Sequence, residues 1–178
     1  METPLRFEKP HAGLQNSYRD FIREFEDAEE PLIPFPLMFP NHNFEAFLSQ
    51  LEACARGEGI PPGFVPHSTY WLVHNESVVA VSNLRHSLTD ALRHDGGNIG
   101  YGVRPSARGK GFAKEILRRT LVPARELGLS AVLVICEKNN TASARTILAN
   151  GGVLDSEEFL PKHSETIQRY WISLSSIS

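Results

Sequence analysis

The run Val103-Arg104-Pro105-Ser106-Ala107-Arg108-Gly109-Lys110-Gly111-Phe112-Ala113 constrains this chain more than any other segment. It reads as the end of a strand, a glycine-rich turn and the start of a helix. Such a turn aims several backbone N–H groups at one point, and the unpaired donors of the helix's first turn join them. That point suits a pyrophosphate. Gly109 and Gly111 let the main chain approach an anion with no Cβ in the way, Arg108 and Lys110 supply positive charge, and the small Ala113 keeps the helix start close to a ligand. A solvated turn is the alternative reading. The spacing matches neither the GxxxxGK(S/T) phosphate loop nor the GxGxxG dinucleotide pattern, which disfavours nucleoside triphosphates and nicotinamide cofactors.

The flanking sequence supplies an alternation of strands and helices. Leu5 to Phe7 reads as a first strand, and Leu14, Tyr18, Phe21, Ile22 and Phe25 recur at helical spacing to make an amphipathic first helix. Its downstream end is acidic, from Glu24 to Glu30, and leads into Pro31 to Pro40, where four prolines forbid a regular element. A second helix follows the N-cap Asn43, with Phe44, Phe47, Leu48 and Leu51 on one face. Thr69 to His74 and Val78 to Leu84, joined by Asn75-Glu76, suggest an antiparallel hairpin. A loop through Asp90 then leads to a strand over Ile99 to Val103. The helix from Gly111 turns Phe112, Ile116, Leu117, Leu121 and Ala124 inward, is kinked at Pro123 and stops near Gly128. Ala131 to Cys136 is a continuous apolar run, as in a strand buried on both faces and parallel to a neighbour. A short helix over Thr141 to Asn150 and a strand pair around Val153 to Leu160 and Thr166 to Leu174 complete the chain.

Composition narrows the class. A chain of 178 residues, 41% of them hydrophobic, suits a single domain spanning residues 1–178. The formal net charge of −3 argues against a nucleic-acid partner. Cys54 and Cys136 fall in a helix and a buried strand, so they read as reduced thiols, with no disulfide and no metal site expected. No apolar stretch is long enough to span a bilayer and no basic segment runs into an apolar one near Met1, so no membrane partner is expected and the chain reads as cytoplasmic.

The turn and its flanks resemble the GNAT superfamily of acyl-CoA N-acyltransferases, whose Arg/Gln-x-x-Gly-x-Gly/Ala signature matches as Arg108-Gly109-Lys110-Gly111-Phe112-Ala113. Ile99-Gly100-Tyr101-Gly102-Val103-Arg104-Pro105 is similar to that family's central strand, and Asn139-Asn140 with Ser143 to its next helix. The resemblance covers residues 69–155. It implies an α/β (α+β) fold with a mixed, mostly antiparallel sheet, flanked by helices and splayed at a β-bulge beside Tyr101 to Val103. It also implies acetyl-CoA as the acyl donor, with the pantetheine arm in the splay. Backbone groups around Tyr101 and Val103 would hold the thioester, Arg108 to Ala113 the pyrophosphate, and Asn139, Asn140 and Ser143 would border the coenzyme. For the two asparagines, helix capping is the alternative.

The resemblance is less informative about catalysis. Aminolysis of a thioester needs a group that takes a proton from the incoming ammonium. The family often uses a glutamate on the central strand and a tyrosine on the later helix; those positions here fall on Gly97 and Ile147. The candidate bases are His86 and Asp95, with Glu137 acting through a water as a third. His163, Tyr170 and Trp171 either line the acceptor pocket or belong to the core, and no side-chain acid is assigned. In the family the first two helices and their connection form the acceptor wall, which makes Glu29 and Phe35, with Arg85 on the hairpin, candidate acceptor contacts. The acidic run fits a cationic acceptor, or is only a solvated face. The function implied is acetylation of a primary amine on a small cationic molecule, for example an aminoglycoside-like antibiotic. Acetylation of a protein N-terminus or lysine is the alternative, and a coenzyme-A-binding sensor without catalysis is a third reading, motivated by Gly97 and Ile147. Homodimers are common among such proteins.

Overall fold

The computed structural model describes residues 4–175. Two antiparallel sheets form its frame. Strands β1 (Arg6–Glu8), β2 (His67–His74), β3 (Ser77–Arg85) and β4 (Ile99–Val103) lie in that order in the first. The second holds β5 (Ala131–Glu137), β6 (Gly152–Leu160) and β7 (Glu165–Ser173), with β7 in the middle. Among the described residues, no helix is long and apolar enough to cross a membrane.

Helix α1 (Gln15–Asp27) buries Tyr18, Phe21, Ile22 and Phe25, the stripe its periodicity predicts. Tyr18 stacks on Trp71 of β2 at 4.9 Å and on Phe47 of α2 (Phe44–Arg56) at 5.0 Å, which fixes both helices on one face of the first sheet. The Asn43 side chain caps α2 by accepting from the Ala46 N–H at 3.1 Å. A short helix, α3 (Asp90–His94), replaces the loop expected after β3, with Thr89 accepting from the Leu92 N–H. Helix α4 (Phe112–Glu126) follows β4 and contains Pro123. It packs on β3, where Thr120 and Ser82 share a fully buried 2.6 Å hydrogen bond. Helix α5 (Thr141–Leu148) completes the set and buries Ile147.

Among the described residues, one residue makes the backbone hydrogen bond between the two sheets. The Asn98 N–H donates to the Leu133 carbonyl at 2.7 Å, and its side-chain Oδ1 accepts from the Leu133 N–H at 2.8 Å. Asn98 thus occupies both backbone groups of Leu133, and β4 and β5 share no ladder beyond it. The predicted bulge beside Tyr101 to Val103 is not found, since β4 pairs with β3 in unbroken register from Leu84–Ile99 to Ala80–Val103. The divergence instead starts at Gly97, whose φ of +67° turns the chain into Asn98. Likewise β5 is buried as expected, but its ladder partner is the antiparallel β7.

Asn98 is 2% exposed, so removing its side chain leaves the Leu133 N–H without a partner inside the protein. Asn98→Ala should lower stability by about 1–3 kcal/mol, read as a lower urea midpoint with an unchanged slope.

Candidate active site

A cleft of about 670 Å³ opens where β4 and β5 part. One end is the turn between β4 and α4. Gly109 and Gly111 adopt φ of +75° and +82°, left-handed conformations that cost a residue with a Cβ about 1–2 kcal/mol. Gly111 is the N-cap of α4 and no side chain caps this helix. The N–H groups of its first turn are left for a ligand, and Gly109, Gly111, Phe112 and Ala113 all line the cleft. The arrangement fits an anion held by main-chain donors at the positive end of a helix dipole. Lys110 is exposed and lies outside the lining.

Tyr101 reaches from β4 across the cleft to α5, where its hydroxyl and the Ser143 Oγ lie 2.8 Å apart. Burial pushes the Tyr101 phenol up to about 12, so it stays neutral at physiological pH. Asn140 lines the cleft and also caps α5, accepting from the Ser143 N–H at 3.1 Å. Asn139 faces away and donates to Glu165 at 2.8 Å. Cys136 and Glu137 at the end of β5 complete this side.

The opposite wall is the segment after α1. Its path is dictated by β4, because a Cβ at Gly102 would collide with the Ile33 carbonyl oxygen, and Pro34 presses on Gly100. Two of the acidic residues expected to attract an acceptor already have partners. Glu24 lies 3.1 Å from the Arg104 guanidinium and accepts from the Ser106 N–H at 3.0 Å. Glu30, which lines the cleft, receives both arms of Arg108, at 2.8 and 2.5 Å. The hydrogen bonds from Arg108 lower the Glu30 pKa from its usual value. Glu29 is exposed outside the lining. Phe35 packs edge-on to His67 at 4.8 Å, and Arg85 lies over the Phe35 ring while donating to the Gly96 and Gly97 carbonyls at 3.0 Å. Neither lines the cleft; together they brace the loop that carries Asp95.

The two candidate bases part company here. His86 lies outside the cleft lining, with its Nε2 bonded to the Ser68 hydroxyl at 2.8 Å, and burial lowers its pKa. Asp95 lines the cleft, and its Oδ2 accepts from His163 Nε2 at 2.8 Å and from Lys162 Nζ at 3.2 Å. Burial alone would raise the Asp95 pKa, but the hydrogen bonds and charges of His163 and Lys162 outweigh it and hold the carboxyl below its usual value. A carboxylate only accepts, so His163 Nε2 is the donor of this pair, and in the neutral ring Nδ1 is the accepting nitrogen. His163 also lines the cleft, whereas Tyr170 is in the core and Trp171 is half-buried in β7. No side chain fits at the usual glutamate position: a Cβ on Gly97 would stand 2.6 Å from the Leu133 oxygen. Among the described residues, no group of three or more His, Cys, Asp or Glu is arranged to hold a metal ion.

The sequence profile described as "Acetyltransferase (GNAT) domain" matches residues 39–153. The chain belongs to the GNAT acetyltransferase family. Solved GNAT-fold structures share its architecture at low identity. A putative acetyltransferase from Salmonella typhimurium, solved with its cofactor acetyl-CoA, is 14% identical over 98% of this chain and 96% of that one, with a TM-score of 0.64. A spermidine N-acetyltransferase chimera from Vibrio cholerae and hSSAT is 13% identical over 98% of both chains, with a TM-score of 0.63. An acetyltransferase from Salmonella typhimurium that modifies the N-terminal serine of ribosomal protein L7/L12 is 12% identical over 96% and 95%, with a TM-score of 0.67. No curated protein matches the sequence. As a GNAT member the protein is an acetyl-CoA-dependent N-acetyltransferase.

Two residues of this GNAT cleft carried little signal in the sequence. Glu30 was one acid among several, and His163 one of three C-terminal aromatic residues; only the strand-turn-strand pattern around Lys162-His163 marked a loop able to reach a site. At the turn, nothing lies within 4 Å of a Cβ built on Gly111, so an alanine there is opposed by backbone strain alone. Gly111→Ala should weaken acetyl-CoA binding about tenfold in a calorimetric titration, as the turn relaxes away from the left-handed geometry that aims its donors.

Proposed function

We propose that this enzyme acetylates a primary amine of a small cationic acceptor, and that His163, oriented by Asp95, takes the proton from the ammonium. The Asp95–His163 hydrogen bond at the cleft wall carries this reading. The ionised carboxylate holds the imidazole in the tautomer whose Nδ1 accepts, and a histidine so oriented can serve as a general base. Loss of the ammonium proton to Nδ1 frees the amine lone pair. The nitrogen then bonds to the thioester carbonyl carbon and gives up its second proton to solvent, the carbon–sulfur bond breaks, and coenzyme A leaves as a thiolate that solvent protonates.

The coenzyme is held by the main-chain donors of Gly109 to Ala113 at its pyrophosphate, with Tyr101, Asn140 and Ser143 beside the pantetheine. In support of a small cationic acceptor, Asp95 and Glu137 place carboxylates on the cleft wall, and the Pro31 to Pro34 segment lies close over β4. One GNAT relative is a spermidine N-acetyltransferase, and an aminoglycoside-like antibiotic has the same polycationic character. Another relative modifies a protein N-terminus, so peptides belong in the test.

Thiol release from acetyl-CoA, measured across polyamines, aminoglycosides, amino acids and short peptides, separates these acceptors. Saturable turnover on a small polyamine or aminoglycoside is expected; turnover on peptides alone would transfer the function to protein acetylation. On the working acceptor, His163→Ala should lower kcat by about 10²- to 10⁴-fold with acetyl-CoA affinity unchanged, and Asp95→Asn should lower it less. A full rate in both variants would refute the assignment.

A further inference from the structure

The ion pair between Glu30 and Arg108 joins the two halves of the site. Glu30 stands on the wall formed after α1; Arg108 belongs to the turn at the start of α4. The guanidinium forks onto both carboxylate oxygens, its Nε donates to the Val103 carbonyl at 3.3 Å, and its plane lies over Phe25, with 5.6 Å to the ring centroid. Each charge therefore has the other as its charged partner. The two side chains are 37% and 45% exposed, conditions under which an ion pair contributes little and changes partner at small cost. A pyrophosphate at the uncapped α4 start would bring a denser negative charge beside the same guanidinium, and it would gain backbone donors that Glu30 does not reach.

We propose that Glu30 is an acceptor-recognition residue that Arg108 masks until the coenzyme binds. The pyrophosphate takes the guanidinium, and the released carboxylate receives a second ammonium group of the acceptor while the first is acetylated beside His163. The proposal rests on reading the turn as the pyrophosphate site. It defines the acceptor as a molecule with at least two cationic centres and makes binding ordered, coenzyme first. Glu24 does not take this role, because Arg104 and the Ser106 N–H already hold its carboxylate and it does not line the cleft.

Calorimetric titration and steady-state kinetics with diaminobutane and butylamine test it, using wild type and Glu30→Gln. In Glu30→Gln the competitor for Arg108 is gone, so acetyl-CoA should bind about two- to fivefold more tightly. The same variant should raise the KM for diaminobutane about fivefold, with kcat nearly constant and the KM for butylamine unmoved. Diaminobutane should bind wild type loaded with coenzyme A and not the free protein. A structural brace would give the opposite sign, so coenzyme affinity that falls or stays constant in Glu30→Gln overturns the proposal. Equal diaminobutane binding to free and loaded protein, or none to either, also overturns it. Failure of wild type to bind acetyl-CoA would instead remove the pyrophosphate site on which the proposal stands.

Discussion

The two hydrogen bonds between Asn98 and Leu133 are the constraint on which the rest of the molecule depends. A continuous ladder between β4 and β5 would merge the sheets and leave no cleft. No contact at all would leave two half-domains whose cores do not support each other. A single asparagine, with a backbone donor and a side-chain acceptor, satisfies both backbone groups of one residue and then stops. Upstream, Gly97 supplies the left-handed turn, Arg85 holds the Gly96 and Gly97 carbonyls, and Asp95 follows directly from α3. The position of Asp95, which orients the proposed base His163, is thereby tied to the residue that opens the sheet.

The site divides by chemical means. The end proposed for the pyrophosphate is made of main-chain donors and a helix terminus, groups that carry no net charge and do not titrate. The end proposed for the acceptor is made of polar and charged side chains: Asp95, His163, Glu137 and Glu30.

Local patterns were readable from the sequence and distant pairings were not. The stripe of Tyr18, Phe21, Ile22 and Phe25 has a period, Asn43 and Asn140 have capping positions, and the turn at Gly109 to Gly111 has a composition that only a few backbone geometries require. By contrast, His163 meets Asp95 across 68 residues of chain, and Arg108 meets Glu30 across 78. Nothing in either local sequence encodes the partner. The expected bulge is absent for a similar reason: the opening of the sheet is produced by what Asn98 bonds to on another strand, and β4 itself keeps a regular register. Phe35 and Arg85 have side chains suited to binding an acceptor, but the fold uses them on each other.

The path of the segment over β4 also bears on how such a protein can change. The Ile33 carbonyl fills the space that any side chain at Gly102 would need, so the backbone trace there is pinned by a steric fit between two main chains. Ile33 itself is 53% exposed, and its side chain is under no such restriction. Drift in substrate preference is therefore expected to accumulate as replacements along the Pro31 to Pro34 rim, while the two facing backbones remain locked and the glycines beneath them resist substitution.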